Sequence, residues 1–373
     1  MQTLSILIKP ASSSCNLSCH YCFYHDVAEH RNVKSFGRMR DHVRKEIIRK
    51  AFASHVRVVS FAFQGGEPTL AGLDFFQAFV REVEEHNTNH ISVHYSLQTN
   101  GYALNEAWIS FLKENHFLVG ISLDGPKEIH DYGRVTNRGK PTHKRVMQTI
   151  RLLEKFSVPF NILCVLTSYT ARHITKVYNF FQKQGFKYVQ FIPCLEPLEG
   201  EEIANYSMSA EEYADALHIL FRKYRENILA RNYISDRLFD NFIGMCMGQE
   251  PENCSMAGAC STYFTIEANG DVFPCDFYAL DTYKMGNIME KDYEEMFTGE
   301  VATAFRKESE PLSDACQTCK YVSLCRGGCK RYKQLAPTTS QKQFVYCESY
   351  YTFFEKNVAA MFELAQQVRR GIG

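Results

Sequence analysis

Short β-rich runs alternate with amphipathic helical patterns along the first 200 residues. The runs with a strand-like pattern are Leu4–Lys9, Arg57–Phe63, Ile91–Gln98, Phe117–Leu123, Phe160–Leu166 and Tyr188–Ile192. Patterns with helical spacing lie between them, at Asp41–Ser54, Asp74–His86, Glu106–Glu114, Lys144–Lys155 and Ile174–Gln184. Strands that alternate with helices of this length are typical of a parallel α/β fold.

Several of the predicted strands run directly into loops that carry reactive side chains. These loops read SSSCNLSCHYC, QGGEP, QTNG, LDGP and PCLEP. In parallel α/β folds the loops at the carboxyl ends of the strands form the active face. A doubly wound sheet is an alternative, but chemistry at almost every strand end favours an open barrel.

The alternation of predicted strands and helices ends after residue 200. A helix is predicted for Ser209–Leu229, and Ser209 with Glu212 forms a capping-box motif at its start. From about residue 235 the chain is rich in cysteine and loops, with one hairpin signal at Asn269-Gly270 that suits a two-residue type I′ turn. We therefore predict two domains, 1–234 and 235–373.

The length and the net charge of the chain indicate how many domains it has and which kinds of partner it binds. The 373 residues fit two domains, and 42 Lys plus Arg balance 42 Asp plus Glu. A neutral chain without basic blocks has no electrostatic footprint for nucleic acid or an anionic membrane surface, which favours a small or neutral partner. No run approaches the ~18 apolar residues of a membrane span, and the N-terminus lacks the charged region of an export signal. We expect a cytoplasmic protein.

The chain contains 14 cysteines, and most of them are clustered. Three lie at Cys15, Cys19 and Cys22, and eight more lie between Cys254 and Cys347. Because a reducing cytosol disfavours structural disulfides, clustered cysteines there are more often metal ligands or redox groups. The three that stand alone, Cys164, Cys194 and Cys246, are better explained as small buried apolar residues.

The first cluster has the spacing C-x3-C-x2-C in the loop after the first predicted strand. Three ligands do not close a tetrahedral structural zinc site. A 4Fe-4S cluster held by three thiolates keeps one iron open, and that iron can bind a ligand through an amine and a carboxylate. The alternative is a zinc site completed by His20 or His25.

The cysteine loop and a second motif resemble the radical S-adenosylmethionine superfamily. CNLSCHYC is similar to the signature of that superfamily, and GGEP at Gly65–Pro68 is similar to its second motif. The resemblance implies a partial (β/α)6 barrel similar to a TIM barrel. It also implies a reduced 4Fe-4S cluster that cleaves S-adenosylmethionine to a 5′-deoxyadenosyl radical, which takes a hydrogen atom from the substrate.

The same resemblance implies contacts to S-adenosylmethionine. Gly66 lacks Cβ, so its backbone can approach the ligand ammonium, which Glu67 could also hold. Ser122 and Arg134 could hold the methionyl carboxylate, for which the arginine fork is suited. The implied contacts to the adenosyl portion are Tyr21 and Leu195. In isolation each residue also has an ordinary turn, packing or surface explanation.

The eight cysteines of the C-terminal region can complete two four-thiolate sites. Four thiolates hold a zinc ion or a 4Fe-4S cluster equally well, so the spacing favours neither. The run resembles a SPASM domain, which implies two auxiliary 4Fe-4S clusters. The implied ligands are Cys254, Cys260, Cys275 and Cys329 for one cluster and Cys316, Cys319, Cys325 and Cys347 for the other. Fully ligated clusters are suited to electron transfer.

Asp276 follows the predicted ligand Cys275 directly. A lone aspartate at such a place is most often a turn or capping residue. Beside a cluster that accepts an electron, a carboxylate that removes a proton would allow a carbon radical to become a double bond. Asp276 is therefore our candidate catalytic base.

Nearly the whole chain resembles the anaerobic sulfatase-maturating enzymes. The stretches that carry this resemblance include IKPASSSCNLSCHYCFYH, FAFQGGEPTLAG, SLQTNG, LVGISLDGPKEIH, QFIPCLEPL and GDVFPCDFY. It implies oxidation of a Cys or Ser in an unfolded sulfatase to Cα-formylglycine, within a Cys/Ser-x-Pro/Ala-x-Arg motif. It also implies an electron donor such as a flavodoxin or ferredoxin. Tyr24 and Gln64 are the candidates for holding the peptide.

Two other functions remain open at this point. One is a different SPASM peptide-modifying enzyme, such as a thioether-forming maturase, and the other is a non-catalytic zinc-binding adaptor. No role is assigned to His20 with His25 or to the acidic cluster Glu199–Glu202, for which a solvated surface is expected.

Overall fold

The computed structural model describes residues 2–198, 204–335 and 342–371. The chain forms two compact units. The first contains Met1–Ser122, Asp131–Phe160 and Thr262–Phe305, and the second contains Leu123–His130, Asn161–Ser261 and Arg306–Gly373. The acidic cluster Glu199–Glu202 lies outside the described residues. Among those described, no helix combines the length and apolarity needed to cross a membrane.

The β-strands of the described residues are short and spread along the chain. They are β1 (Thr3–Ile8), β2 (Leu17–Cys19), β3 (Val58–Phe63), β4 (Ser92–Thr99), β5 (Leu118–Ser122), β6 (Arg134–Thr136), β7 (Phe160–Leu166), β8 (Tyr188–Pro193), β9 (Ser235–Asp236), β10 (Phe264–Ile266), β11 (Asp271–Phe273), β12 (Gly286–Asn287), β13 (Lys333–Leu335) and β14 (Lys342–Phe344).

The α-helices of the described residues range from single turns to 23 residues. They are α1 (Phe23–Glu29), α2 (Asp41–Ala53), α3 (Leu73–His86), α4 (Glu106–Glu114), α5 (Lys127–Gly133), α6 (His143–Lys155), α7 (Ser168–Arg172), α8 (Ile174–Gln184), α9 (Ala210–Leu229), α10 (Arg237–Cys246), α11 (Tyr293–Thr298), α12 (Glu300–Lys307), α13 (Asp314–Gln317), α14 (Val322–Cys325) and α15 (Cys347–Arg369).

The sheet of the first unit has the order β12-β11-β10-β1-β3-β4-β5. Strands β1, β3, β4 and β5 run parallel, as the alternating pattern predicts. Strand β10 also pairs parallel to β1, with Ile6 opposite Phe264, and β11 and β12 continue the sheet in antiparallel register. A hairpin from the C-terminal third of the sequence therefore extends the N-terminal sheet.

The core of the first unit is aromatic. Phe61 and Phe63 on β3 pack against Phe79 of α3 with ring centroids 4.9 Å apart in each pair. All three side chains are fully buried. Helix α2 is tied to α3 by the buried Arg44, which donates to both carboxylate oxygens of Glu82 at 2.7 and 2.9 Å. These contacts hold the sheet and its covering helices together.

In the second unit, β7, β8 and β9 form a parallel set, and α9, α10 and α15 pack around a second aromatic core. Phe242 of α10 lies 6.1 Å from Phe353 and 5.1 Å from Phe354 between ring centroids. The capping box at Ser209 and Glu212 is present at the start of α9, as predicted.

The predicted strands and helices of the first 230 residues are confirmed, and their ends agree within about one residue. The prediction of a loop-rich C-terminal region is wrong in part, because α10 and α15 are regular helices. Helix α15 buries Tyr350, Phe353, Phe354, Asn357, Met361, Leu364 and Ala365. This spacing of three and four residues is that of one helix face.

The type I′ turn predicted for the hairpin is wrong. Gly270 N donates to Glu267 O at 2.9 Å, and Glu267 N donates to Asp271 O at 2.9 Å. A type I′ turn needs positive φ at both central residues, but Gly270 has φ +91° whereas Asn269 does not have positive φ. The Asn269 side chain instead accepts from Asp271 N at 3.1 Å. The loop therefore has three residues and ends in a left-handed glycine.

Asp236, the N-cap of α10, carries a buried carboxyl group. Its Oδ1 accepts from Leu238 N at 3.1 Å, while Oδ2 has no hydrogen-bond partner among the described residues. The neighbouring Asp240 accepts hydrogen bonds from Tyr224, Tyr233 and Ser235. Burial, and then the charge of Asp240, raise the pKa of Asp236 to about 8.

We expect Asp236→Asn to stabilise the protein at pH 8. In the unfolded chain Asp236 ionises near its ordinary pKa, whereas in the fold it stays protonated until about pH 8. The fold therefore loses stability as the pH rises between these two values. Asparagine keeps the cap and stays neutral, so the free energy of unfolding at pH 8 should rise by about 1–3 kcal/mol.

The measurement is urea unfolding under anaerobic conditions at pH 5 and pH 8, with the exposed Asp215→Asn as a matched control. Asp236→Asn should flatten the pH dependence of the unfolding midpoint, and Asp215→Asn should leave it as in the wild type. Identical pH dependence in the two variants would contradict the expectation.

Candidate active site

The loop between β1 and α1 brings the first three cysteines together. Cys15 Sγ accepts from Leu17 N at 3.4 Å and lies 3.8 Å from Asn100 Nδ2. Burial raises the pKa of Cys15 to about 12, and Cys19 and Cys22 act in the same direction because their thiols are close. A group that binds as a tri-thiolate would displace the thiol protons, and these three thiols are the ones that the motif assigns to it.

The second motif packs directly against this loop. Gly66 N donates to Ser12 O at 2.9 Å, and Glu67 N donates to Ser14 O at 2.8 Å. A Cβ on Gly66 would lie only 2.1 Å from Ser14 O, so no side chain fits there. The glycine is required because the backbone before Cys15 passes immediately beside it.

Glu67 is almost fully buried and has donors on both carboxylate oxygens. Oε1 accepts from Thr69 N at 3.1 Å, Thr69 Oγ1 at 2.6 Å and Thr99 Oγ1 at 2.7 Å, and Oε2 accepts from Asn100 N at 2.8 Å. Burial raises the pKa of Glu67, although these hydrogen bonds oppose the rise. Glu67 thus links the second motif to the end of β4, next to Cys15.

The other predicted contacts to S-adenosylmethionine lie on different elements of the fold. Arg134 is buried opposite Cys19 in the β2–β6 pair, with Nη1 3.8 Å from Cys19 Sγ and its guanidinium 5.3 Å from the Tyr21 ring centroid. Ser122 ends β5, and its hydroxyl accepts from Gln98 Nε2 at 3.2 Å. Leu195 is buried in the second unit, after β8.

Asp276 is the point on which several predicted residues converge. Tyr24 donates its hydroxyl to Oδ2 at 2.9 Å, and Gln64 Nε2 lies 3.4 Å from the same oxygen. Tyr263 donates to Oδ1 at 2.5 Å and its hydroxyl is also 3.3 Å from Cys275 Sγ. Burial and the charge of Asp276 raise the pKa of both tyrosines, which therefore remain protonated donors.

A buried ionic triad lies behind this group. Lys9 and Arg31 both form ion pairs with Oε1 of Glu267, and all three side chains are essentially removed from solvent. Burial lowers the pKa of Lys9, whereas Lys9 and Arg31 together hold the pKa of Glu267 below its usual range. Lys9 Nζ lies 5.3 Å from the centre of the Tyr24 ring. The triad therefore packs against Tyr24, one of the two tyrosines that donate to Asp276.

Four cysteines of the second unit are mutual neighbours. Burial raises the pKa of Cys325 to about 12, and Cys347, Cys316 and Cys319 add to the rise. Ser313 Oγ lies 3.3 Å from Cys316 Sγ. Cys347 is the first residue of α15. The assignment of these four thiols to one four-thiolate site stays a prediction from the resemblance.

The remaining four predicted ligands are divided between the units. Cys275 belongs to the first unit, and Cys254, Cys260 and Cys329 belong to the second. Cys260 N donates to Ser309 Oγ at 2.7 Å, and Cys329 caps the short turn Lys330–Tyr332. The grouping of these four cysteines stays a prediction from the resemblance.

Sequence reasoning missed Tyr263, Lys9, Arg31 and Glu267. The last three are charged residues in segments that the sequence predicts as strand, loop or turn. Their burial depends on ion pairs between residues more than 200 positions apart, since both Lys9 and Arg31 pair with Glu267. The available signal was Lys9, which directly follows the apolar run SILI of β1. Tyr263 precedes β10 and had no motif to mark it.

Two family models match the chain. The radical SAM superfamily model matches residues 10–181, and a SPASM iron-sulfur cluster-binding domain model matches residues 254–320. The two matches contain the cysteine loop, the GGEP motif and five of the eight C-terminal cysteines. The cofactor prediction of S-adenosylmethionine and 4Fe-4S clusters, with auxiliary clusters in the SPASM region, is confirmed.

Related proteins match over almost the full length of the chain. A cysteine-type anaerobic sulfatase-maturating enzyme of Clostridium novyi is 44% identical, and the match covers 98% of each chain. A serine-type anaerobic sulfatase-maturating enzyme of Bacteroides thetaiotaomicron is 30% identical, over 94% of this chain and 89% of the relative.

The structure is similar to a solved structure described as native anSMEcpe with bound AdoMet and Cp18Cys peptide. The TM-score is 0.93 at 42% identity, and the match covers 98% of this chain and 99% of the other. The predicted fold class, a partial (β/α)6 barrel followed by a cysteine-rich SPASM domain, is confirmed by this match and by the family models. A thioether-forming maturase and a zinc adaptor are not favoured. The chain therefore belongs to the anaerobic sulfatase-maturating enzymes of the radical S-adenosylmethionine superfamily.

Proposed function

We propose that this protein oxidises a cysteine of an unfolded sulfatase to Cα-formylglycine. The observation that carries the proposal is the convergence of Tyr24, Gln64 and Tyr263 on Asp276, next to Cys275. When bound, the cofactors supply a 5′-deoxyadenosyl radical that takes a hydrogen atom from the substrate Cβ, and the auxiliary clusters supply an acceptor for one electron.

The cysteine loop is the proposed site of the first 4Fe-4S cluster, with Cys15, Cys19 and Cys22 as ligands. Support comes from the closeness of the three thiols and from the neighbouring donors Asn100 and Arg134. The two auxiliary clusters are assigned to the two cysteine sets that the resemblance implies. One set consists of Cys316, Cys319, Cys325 and Cys347. It is supported by the thiols of this set that raise the pKa of Cys325 and of Cys347.

S-adenosylmethionine is proposed to bind beside the cysteine loop. Gly66 leaves the backbone accessible and Glu67 fixes it against β4, while Arg134 provides a cation within reach of the Tyr21 ring. Ser122 and Leu195 are the remaining proposed contacts. Three donors to Oε1 of Glu67 position the ammonium-binding backbone, and Oε2, which accepts from Asn100 N, keeps a lone pair for the proposed direct contact.

Asp276 is proposed to take the thiol proton of the substrate cysteine. Tyr24 and Tyr263 donate to opposite oxygens of its carboxylate, which fixes the carboxylate plane. Oδ1 accepts a hydrogen bond from Tyr263 and keeps a second lone pair, so the group can still accept a proton. Tyr24 and Gln64 share Oδ2 and are proposed to hold the peptide at this position.

Cysteine is the proposed target because the chain is more similar to the cysteine-type relatives than to the serine-type relatives, at 44% against 30% identity. The peptide motif is proposed to be Cys-x-Pro/Ala-x-Arg, and a flavodoxin or ferredoxin is the proposed electron donor. A cytoplasmic location and functional domains at 1–234 and 235–373 complete the proposal.

We expect Asp276→Asn to lower the rate of peptide oxidation by about 10²–10⁴-fold while S-adenosylmethionine is still cleaved. The amide keeps the size of the side chain but does not accept the substrate proton. The assay measures formylglycine and 5′-deoxyadenosine in the same anaerobic reaction. The exposed Asp74→Asn is the matched control and should behave as wild type. Normal peptide oxidation by Asp276→Asn would show that another group is the base.

We expect reconstituted protein to contain about twelve irons per chain, because three 4Fe-4S clusters need that number. Replacement of Cys15, Cys19 and Cys22 by alanine should remove about four irons and abolish S-adenosylmethionine cleavage. Replacement of Cys316 and Cys319 should remove about four others and leave cleavage measurable. Cys164→Ala is the control with full iron content. Zinc in place of iron in the wild type would refute the assignment.

We expect a Cys-containing peptide to be oxidised at least about tenfold faster than the same peptide with Ser, since a thiol loses its proton more easily than a hydroxyl. Mass spectrometry of both peptides under identical conditions measures the two rates. Faster oxidation of the Ser peptide would reverse the proposed preference while keeping the reaction class.

A further inference from the structure

Strands β2 and β6 form a short antiparallel ribbon that contains Cys19. Strand β2 ends at Cys19, which pairs with Arg134 of β6, and His20 N donates to Gly133 O at 3.1 Å. The turn after β6 is anchored to the same loop, because Asn137 Nδ2 donates to Cys15 O at 3.0 Å. The cysteines themselves are half-buried. The ribbon therefore carries Cys19 and is hydrogen-bonded to the backbone of Cys15.

The exposed side of the ribbon is basic in an otherwise neutral chain. Residues 131–145 contain five Lys or Arg and one Asp, whereas the whole chain has 42 of each sign. Arg138, Lys140 and Lys144 are exposed, and none of the three forms an ion pair with any residue that the structure describes. Their charges are thus available to a partner.

Lys144 has a further peculiarity. It lies in the first turn of α6, which contains no acidic residue. A cation at a helix N-terminus opposes the helix dipole and lowers helix stability. The carboxylate of Asp131 partly offsets the helix dipole, because its Oδ1 accepts from Thr142 N and His143 N at 2.8 Å each. The positive charge of this surface therefore comes from the exposed side chains of Arg138, Lys140 and Lys144.

An aromatic pair lies at the Cys19–Arg134 end of the ribbon, whereas Arg138 and Lys140 follow its other end. Tyr132 is 58% exposed, and its ring lies 6.3 Å from that of the exposed His20, in an edge-to-face arrangement. Exposed aromatic rings and cations on one element are typical of protein interfaces, where the rings provide contact area and the charges steer the encounter. We define the hairpin patch as His20, Tyr132, Arg138, Lys140 and Lys144.

We propose that the hairpin patch is the docking surface of an acidic one-electron carrier protein that reduces the cluster of the cysteine loop. The inference rests on the proposed function, which requires an electron from outside the chain. Charge complementarity favours an acidic partner, and the patch lies on the ribbon that carries the predicted ligand Cys19. The complex is transient, because the carrier must leave after each electron.

The test uses the charge reversals Arg138→Glu and Lys140→Glu together in the iron-loaded enzyme. The control is Lys45→Glu with Arg81→Glu, which reverses two exposed and unpaired cations on α2 and α3 and changes the net charge equally. Binding of a reduced acidic flavodoxin is measured by calorimetry at low ionic strength. The hairpin variant should bind about tenfold more weakly or worse, and the control should bind as wild type.

A second measurement compares two reductants. Flavodoxin-driven release of 5′-deoxyadenosine should fall about tenfold or more in the hairpin variant, whereas release driven by dithionite should equal that of wild type. Added salt should weaken flavodoxin binding in the wild type and much less in the milder variant Arg138→Gln with Lys140→Gln. If charge reversal damages the cluster, the same binding and release measurements are made on this milder variant.

Three outcomes would overturn the proposal. Equal losses in the hairpin and control variants would mean that only the net charge matters. Unchanged flavodoxin binding in both hairpin variants would place the docking surface elsewhere. A raised KM for peptide under dithionite, with normal flavodoxin binding, would assign the patch to the acidic part of a peptide substrate. Failure of the proposed function is recognised separately, since dithionite-driven peptide oxidation would then be absent from the wild type.

Discussion

The buried ion pairs of Glu267 with Lys9 and Arg31 are the constraint on which the site of the first unit depends. They join the end of β1, the segment after α1 and the turn of the β10–β11 hairpin, which are far apart in the sequence. Removing one partner of such a buried group leaves an uncompensated charge and costs about 3–5 kcal/mol. The same hairpin carries Cys275 and Asp276, so the triad fixes the candidate base against the sheet that bears the cysteine loop.

The cysteine loop and the GGEP motif behave as one structural element. Backbone hydrogen bonds from Gly66 and Glu67 hold residues 12–14, and the Glu67 carboxylate reaches on to the end of β4. Cysteine spacing alone would leave the ligands on a flexible loop. The close approach at Gly66 explains why two motifs more than 40 residues apart are required together, and why a side chain at this position would displace the loop.

The parts of the fold that the sequence predicted well are those where one local signal dominates. The helix at 106–114 and the strand at 160–166 follow directly from the spacing of apolar residues, and both were placed without error. The candidate site was predictable as far as short motifs mark it, which includes Tyr24, Gln64 and Asp276. Tyr263 and Glu267 were not predictable, because their roles arise from partners distant in sequence. The hairpin turn was missed because Asn-Gly also fits a longer loop when asparagine bonds to its own backbone neighbour.

Helix α15 begins at Cys347, whose thiol belongs to the four-cysteine group of the second unit, and it packs on α9 and α10 through Tyr350, Phe353 and Phe354. A cluster held by this group, as proposed, would thereby be connected to the aromatic core of the second unit. Exposure to air would therefore have two effects. It would stop electron flow, and it would release the first turn of a 23-residue helix from its anchor, so that recovery after oxidation requires refolding as well as new iron and sulfide.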